Sequence, residues 1–400
     1  MLSENGSVSL LRGKPANGHH RVTFVELFFD LVFVFAVTQL SHSLLEHLSP
    51  IGAVETALLL MAVWWVWIYT SWVTNWLEPD TTPVRLMLFA LMLAGLLLST
   101  SLPQAFGARG WAFAGAYVAM QLGRSLFTLW ALAGRSPTNF RNFQRISAWL
   151  SLSALFWFAG AAVDERTRLV LWTVALVIEY ASPALGFWAP GLGRSKTADW
   201  DVEGGHLAER CGLFVIIALG ESIVVTGARF AGLEWTSSTV AAFVAALIGT
   251  VGMWWIYFNI GAERASARIM ASSDPGRLAR LAYTYVHIVL VAGIIVSAVG
   301  DELILLHPWA EAEAATRAVL IGGPALYLIG NILFKRATAN RMVLSHFVGL
   351  GLLGGLSLAN LSPLPLGAAC ALVLVLVAAW ETWSLKGALG SEAGERAAPS

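Results

Sequence analysis

The chain carries little charge for its length. Only 12% of its 400 residues are Asp, Glu, Lys or Arg, whereas 57% are hydrophobic and the mean hydropathy is +0.68. A soluble domain has about 25% charged residues. The composition therefore excludes an ordinary soluble protein and predicts a polytopic membrane protein, whose partner is the lipid bilayer and not nucleic acid.

Cysteines and enzyme motifs are equally scarce. Cys211 and Cys370 lie in apolar stretches and predict neither a disulfide nor a metal site. No Gly-x-Ser-x-Gly, P-loop lysine or His-Glu-x-x-His sequence occurs, so hydrolase and NTPase chemistry lack support. His206 and Glu209 have the spacing of half a metal site, but no second histidine follows at a matching distance. We expect no cofactor and no bound metal.

Long apolar stretches are what the chain has instead. About twenty apolar residues are needed to cross about 30 Å of hydrocarbon. Twelve such stretches can be placed, at 22–45, 52–76, 84–106, 111–133, 145–163, 168–189, 207–229, 237–260, 279–301, 316–334, 342–360 and 365–384. The residues before the first stretch are polar and contain no cleavage site, so this stretch is expected to be retained. The predicted fold is all-α, a transmembrane bundle of about twelve helices.

The positive charges predict the orientation of this bundle. With the N-terminus in the cytoplasm, 18 of the 25 Lys and Arg residues fall in the tails and the cytoplasmic loops. Two more lie within spans, and the external loops hold only Arg109, Arg166, Arg168, Arg229 and Arg317. The positive-inside rule therefore places both termini in the cytoplasm.

Matching segments predict a tandem duplication of six spans. Trp64-Trp65-Val66-Trp67 in span two resembles Trp254-Trp255-Ile256-Tyr257 in span eight, and Glu179 in span six has a counterpart in Glu381. Since six is an even number, the two repeats should be parallel rather than inverted. The predicted parts are a cytoplasmic N-terminal tail (1–21), two six-helix repeats (22–189 and 207–384), a cytoplasmic linker (190–206) and a disordered C-terminal tail (385–400).

Ionisable side chains inside the spans are the candidate functional residues, because each costs about 2.5–3.5 kcal/mol at the bilayer centre. We expect a polar track made of Glu26, Asp30, Arg124, Glu209, Arg210 and Glu221, with His42, His206, His287 and Asn331 as secondary candidates. The acids should face the bundle interior, with Arg124 as their counter-charge. The alternative is that these groups pair only to hold the bundle together, and the helix dipole alone favours a carboxylate at Glu209.

Two motifs carry a resemblance to a known family. Residues 26–36 read ELFFDLVFVFA, and residues 206–222 read HLAERCGLFVIIALGES. With the WWIY segment at 254–257, they resemble the bacterial low temperature requirement A family over roughly residues 20–385. This resemblance implies a multi-pass bacterial membrane protein but no established molecular activity. Phe28-Phe29-Asp30 is also similar to the Phe-Ser-Asp first-helix motif of a class of potassium channels, although Phe29 replaces the serine.

The function predicted from these features is movement of a small solute or ion across the membrane. Two alternatives remain open, namely a membrane-embedded enzyme that acts on a lipid-like substrate and a sensor or scaffold that transports nothing. The sequence names neither the solute nor the oligomeric state.

Overall fold

Helices are the main secondary structure of the described residues. The computed structural model describes residues 9–13, 20–196, 200, 203–259, 272, 275–339 and 343–397. These ranges contain twelve α-helices and no β-strand. The prediction of an all-α protein is therefore confirmed, and each of the twelve predicted spans coincides with a helix.

The helix bounds set the frame for the site. The helices are α1 (Phe24–Glu46), α2 (Pro50–Trp76), α3 (Thr82–Ser101), α4 (Gly110–Leu132), α5 (Pro137–Ala161), α6 (Glu165–Ala181), α7 (Gly204–Ala231), α8 (Ser237–Phe258), α9 (Pro275–Ala279 and His287–Leu306, joined by the π-helix Arg280–Val286), α10 (Ala314–Ala339), α11 (Leu344–Leu356) and α12 (Pro363–Ala397). In the described ranges, eight of them are long and apolar enough to cross a membrane, namely α1, α2, α3, α7, α8, α9, α10 and α12. The chain is thus a multi-pass membrane protein.

Several helices begin at residues that satisfy their free N–H groups. The Ser49 hydroxyl accepts from the N–H of Gly52 at the start of α2, and Thr236 accepts from the N–H of Thr239 at the start of α8. Asp164 caps α6, where its carboxylate accepts from the backbone and hydroxyl of Thr167. These hydrogen bonds, the hydroxyl first, lower the pKa of Asp164.

Residue contacts divide the chain into two units. Unit 1 consists of Met1–Phe214 and Ile269–Thr284, and unit 2 of Val215–Arg268 and Tyr285–Ser400. In unit 1, α1 packs on α2 and α3, and α3 to α6 pack in chain order, while α2 also contacts α4 and α6. The middle of α2 is accordingly fully buried, with Trp65, Val66 and Trp67 at 0% exposure.

Unit 2 contains closely packed helices that require glycine. Its main pairs are α9 with α10 and α8 with α12, and α11 packs on α10 and α12. A methyl group at Gly293 of α9 would lie 2.5 Å from the backbone nitrogen of Tyr327 in α10, and one at Gly323 would lie 2.6 Å from that of Ser297. Small residues at such crossings are how membrane helices approach closely.

The C-terminal region differs from its prediction. The sequence suggested a disordered tail from residue 385, but α12 continues to Ala397. Residues 385–397 include Ala, Leu, Glu, Lys and Arg, which favour a helix, together with three glycines, which do not.

Candidate functional site

A buried group of charged residues in unit 1 joins the starts of α1 and α7. We call Arg12, Glu26, Asp30, His206 and Arg210 the α1–α7 cluster. Glu26 and Asp30 lie four residues apart on α1, and His206 and Arg210 lie four residues apart on α7, so each pair occupies one helix face. Glu26, Asp30, His206 and Arg210 are all 0% exposed.

Glu26 uses both carboxylate oxygens. Its Oε2 accepts from the backbone N–H and the hydroxyl of Thr23, at 2.9 and 3.0 Å, and from Nη2 of Arg12 at 3.0 Å. Its Oε1 accepts from Nε2 of His206 at 2.8 Å, and Nη1 of Arg210 lies 4.0 Å away. Glu26 therefore closes the first turn of α1 and anchors the N-terminal segment at the same time.

Asp30 is held on one side only. Its Oδ1 accepts from Nε1 of Trp67 at 2.7 Å and from Nη2 of Arg210 at 2.9 Å. Among the described residues, its Oδ2 has no hydrogen-bond donor and Nη1 of Arg210 has no acceptor, and both atoms are buried. Ser71 of α2 contacts the same guanidinium. The pair thus keeps one unused acceptor and one unused donor in a region closed to water.

His206 is a neutral bridge in this cluster. Its Nε2 must donate to the Glu26 carboxylate, so its Nδ1 is the acceptor for Nδ2 of Asn75, which lies 3.3 Å away. Asn75 also exchanges hydrogen bonds with the backbone of Glu203, just before α7. No lone pair of the imidazole remains for a metal ion. With two arginines and two carboxylates, the cluster is neutral overall.

Two predicted members of the polar track lie elsewhere. Glu209 does not face the bundle interior, so that prediction is wrong: its side chain is exposed, and its Oε2 accepts from the N–H of Val22 at 3.2 Å. Arg124 is fully buried, but its described acceptors are Val66 O, Thr70 and Gln121, none of them a carboxylate. Its guanidinium also lies over the Tyr69 ring. The counter-charge for Asp30 is therefore Arg210, and the proposed role of Arg124 is not supported.

The remaining candidates do not join the cluster in unit 1. Glu221 is buried at 3% exposure in unit 2, where His287 bonds the Tyr257 hydroxyl at 2.8 Å and Asn331 donates to Tyr327 O. His42 is half-buried near the C-terminal end of α1. Sixteen residues of helix separate His42 from Glu26, a distance of about 24 Å.

Unit 1 contains a third buried carboxylate, Glu179, which the sequence indicated as part of the duplication but not as a candidate site residue. Oε2 of Glu179 accepts from the Tyr117 hydroxyl at 2.5 Å and from Gln121 at 3.0 Å, and its Oε1 accepts from Ser153 at 2.7 Å and Trp157 at 2.9 Å. The residue is 1% exposed. Glu179 thus ties α6 to α4 and α5. Its signal in the sequence was an acid inside an apolar span.

Unit 2 has a half-buried acid, Glu381, on its last helix. Nζ of Lys335 in α10 lies 2.6 and 2.7 Å from the two oxygens of Glu381 in α12. The same amine lies 3.2 Å from Nε2 of His346 in α11. Lys335 was not singled out from the sequence, because it lies just past the predicted end of span ten.

Unit 1 also contains an aromatic cavity of about 60 Å³. It is formed by α2, the start of α5, the segment after α6, Trp200 and the π-helix of α9, and it is lined by Trp72, Trp76, Phe143 and Arg280 among others. Arg280 is the one acidic or basic residue in this described lining, and its Nη1 donates to Pro183 O.

Four of the five residues of the α1–α7 cluster, all except Arg12, come from the two segments that carried the family resemblance. Sequence comparison agrees, since the family of the bacterial low temperature requirement A protein (LtrA) matches residues 21–379. The chain belongs to the LtrA family. The prediction made from the motifs is confirmed.

A relative of the chain matches most of its length. An uncharacterized protein of Rhizobium meliloti (strain 1021) is 43% identical over 373 residues, which cover 92% of this chain and 90% of that protein. No solved structure matches the chain. Membership of the LtrA family therefore agrees with a multi-pass membrane protein and specifies no molecular activity.

Proposed function

We propose that this LtrA protein moves a small ion or polar solute across the membrane, and that the α1–α7 cluster controls the route. The supporting observation is the half-used pair of Asp30 and Arg210. Both side chains are fully buried, yet Asp30 Oδ2 and Arg210 Nη1 have no hydrogen-bond partner. A pair in this state can accept a proton, an ion or a polar solute group without first breaking its existing bonds.

The energetics of buried charge favour a functional role. Taking two charges out of water costs several kcal/mol per ion, and apolar residues of similar volume often stabilise a protein at least as well. Ionisable residues within membrane spans are therefore functional candidates by default. Glu26 stabilises the first turn of α1 by accepting from Thr23. The described bonds of Asp30 go to Trp67 and Arg210 on other helices, so Asp30 is the stronger candidate for a functional role.

The N-terminal segment supports a gate on one side of the membrane. Leu10 and Arg12 form backbone hydrogen bonds with Glu78 and Trp76 at the end of α2. This pairing holds the Arg12 side chain against Glu26, with 4% of the side chain exposed. Release of the segment would open one end of the cluster without any movement of a membrane helix.

Orientation is part of this proposal, and fusions test it. We expect both termini in the cytoplasm of a bacterial cell, because 18 of the 25 cations lie on that side. Alkaline phosphatase fused after Lys386 should be inactive, and the same enzyme inserted near Glu234 should be active. Activity after Lys386 would show that the orientation is wrong and would place the cluster on the external side.

The internal duplication is also proposed, and an acid on the last helix of each half supports it. Glu179 on α6 is buried and accepts from α4 and α5, whereas Glu381 on α12 is half-buried and pairs with Lys335 of α10, whose amine also contacts His346 of α11. The donors differ, since four neutral groups surround Glu179 whereas an amine pairs with Glu381. Two related halves that have diverged would produce this pattern.

Flux measurements test the transport proposal. The purified protein in liposomes should conduct or exchange at least one member of a panel of H⁺, Na⁺, K⁺ and small polar solutes. Asp30→Asn should reduce this flux to background while the protein still inserts and accumulates, because the amide keeps the shape but loses the charge that pairs with Arg210. Asp80→Asn is the matched control, since Asp80 forms an exposed pair with Arg85 and should leave flux unchanged.

The sensor or scaffold alternative predicts a different result. The many satisfied partners of Glu26 favour it, because a purely structural cluster should have few unused groups. In that case wild-type liposomes should show no flux, and Asp30→Asn should lower only the stability. If Asp30→Asn has normal abundance and unchanged flux, Asp30 is needed neither for transport nor for stability.

A further inference from the structure

Unit 2 contains a polar cavity that the sequence did not indicate. Its volume is about 30 Å³, and it lies between α8, α9, α10 and α12. Polar lining comes from Thr250, Ser297 and Asp301, and most of the other lining residues are small or aliphatic. A space of this size holds about two water-sized particles. It is separate from the α1–α7 cluster, which belongs to unit 1.

One face of α9 points two oxygen groups at this space. Ser297 and Asp301 are four residues apart, so they share a helix face. Ser297 is 8% exposed, and its Oγ is buried without a hydrogen-bond partner. A buried hydroxyl without a partner is costly in a membrane protein, so its position against a cavity indicates an occupant.

The neighbouring groups present lone pairs. The Thr250 hydroxyl donates to Ala246 O at 3.1 Å, so its remaining lone pairs are free to accept. Ser222 donates to Oδ2 of Asp301 at 3.3 Å, which orients the carboxylate. In α10, Pro324 has no N–H for the carbonyl of Leu320, and both residues line the cavity. The lining is therefore rich in oxygen acceptors.

The described lining of the cavity contains one carboxyl group and no basic side chain. Asp301 has no ion-pair partner among the described residues, and the adjacent Glu302 takes the nearby Arg229. Hard cations prefer oxygen ligands, and sites for divalent ions use several carboxylates. A single carboxylate balances one positive charge.

We propose that this cavity binds one monovalent alkali-metal cation, Na⁺ or K⁺, through the Asp301 carboxylate, the Ser297 and Thr250 hydroxyls and the Leu320 carbonyl. The ion would enter past Asp301, which is only half-buried and lies five residues before the end of α9. This site does not depend on the transport proposal, because binding can be measured without any flux.

Thermal unfolding in detergent, followed by tryptophan fluorescence, tests the site. Purified protein is titrated with NaCl or KCl, and choline chloride keeps the ionic strength constant. The wild-type melting temperature should begin to rise near Kd and then increase with the logarithm of the cation concentration, by about 3–5 °C at a hundredfold excess over Kd. Asp301→Asn should abolish this rise. Ser297→Ala should keep the rise, but the rise should begin at roughly tenfold higher cation concentration.

Glu302→Gln is the control, because Glu302 neighbours Asp301 in sequence but does not line the cavity. It should retain the full cation-dependent rise, even if its starting melting temperature is lower. If Asp301→Asn does not fold, ²²Na⁺ binding to Ser297→Ala and wild type provides the comparison. The proposal is overturned if the wild type shows no cation-dependent rise, if Asp301→Asn shows the same rise, or if stability follows pH alone.

Discussion

Replacing Arg210 by methionine should destabilise the protein by about 3–5 kcal/mol, the range found when one partner of a buried pair is removed. Methionine preserves much of the apolar stem but removes the guanidinium. Asp30 would then keep only the Trp67 donor, and Glu26 would lose a cation 4.0 Å away. The measurement is the unfolding free energy or melting temperature in detergent. Arg85→Met, which breaks an exposed pair with Asp80, should change stability by less than about 1 kcal/mol.

A double variant separates structure from function at this pair. Adding Asp30→Asn to Arg210→Met removes the stranded carboxylate, so most of the lost stability should return. Glu26 still has Arg12 and His206 in that protein. If the pair controls transport, flux should stay at background despite the recovered stability. Recovery of both stability and flux in the double variant would show that the pair only holds α1 against α7. If Arg210→Met is as stable as the wild type, the pair does not stabilise the contact between α1 and α7.

Helix positions were predictable because twenty-residue apolar runs have no other stable form in a bilayer. Four of the five cluster residues, all except Arg12, were among the predicted candidates, and the spacing of four residues places Glu26 and Asp30 on one face of α1. The same rule applied to α7 would have paired His206 with Arg210. Neighbouring helix residues point about 100° apart, so Glu209 cannot share the face of Arg210.

The other errors concern contacts between helices. Arg124 and Arg210 are both lone arginines in apolar spans, and no spacing within a helix says which of them meets Asp30. The answer depends on how α2 packs, since Thr70 and Val66 take Arg124 while Trp67 and Ser71 contact the Asp30 pair. Glu179 was not predicted as a site residue for the same reason, because its four donors come from α4 and α5.

Removing the acceptor at Glu179 should have the other large effect. In Glu179→Ala, four buried donors from α4 and α5 lose this acceptor. Gln121 can still donate to the Tyr117 hydroxyl and Ser153 to Leu150 O, which leaves two donors unsatisfied at about 1–3 kcal/mol each. The total of about 2–6 kcal/mol is a large part of a typical protein's stability, so this variant should accumulate poorly in the membrane. Abundance in isolated membranes and the monodispersity of the detergent extract are the measurements.

A graded series makes the Glu179 result interpretable. Tyr117→Phe removes one donor and leaves the carboxylate three others, so it should cost about 1.5–3 kcal/mol, as expected for a bond to a charged group. The loss of stability in Glu179→Gln should lie between the losses of these two variants. Trp157 can only donate, so the amide oxygen must face Trp157. The amide N–H₂ then faces Tyr117 and Gln121, which donate to the carboxylate in the wild type. Glu165→Gln on the same helix is exposed and should change stability by no more than about 0.5 kcal/mol.

The same series also decides what Glu179 does. If it only ties α6 to α4 and α5, flux per folded molecule should remain unchanged in Tyr117→Phe and Glu179→Gln while stability falls. Gln121 bonds both Glu179 and Arg124, so a polar connection reaches α2 from this site. A loss of flux in Glu179→Gln that exceeds its loss of folded protein would therefore extend the transport route from the α1–α7 cluster to α6. Full stability of Glu179→Gln would contradict the charge-based account, because a carboxylate held by four donors cannot be replaced by an amide without loss.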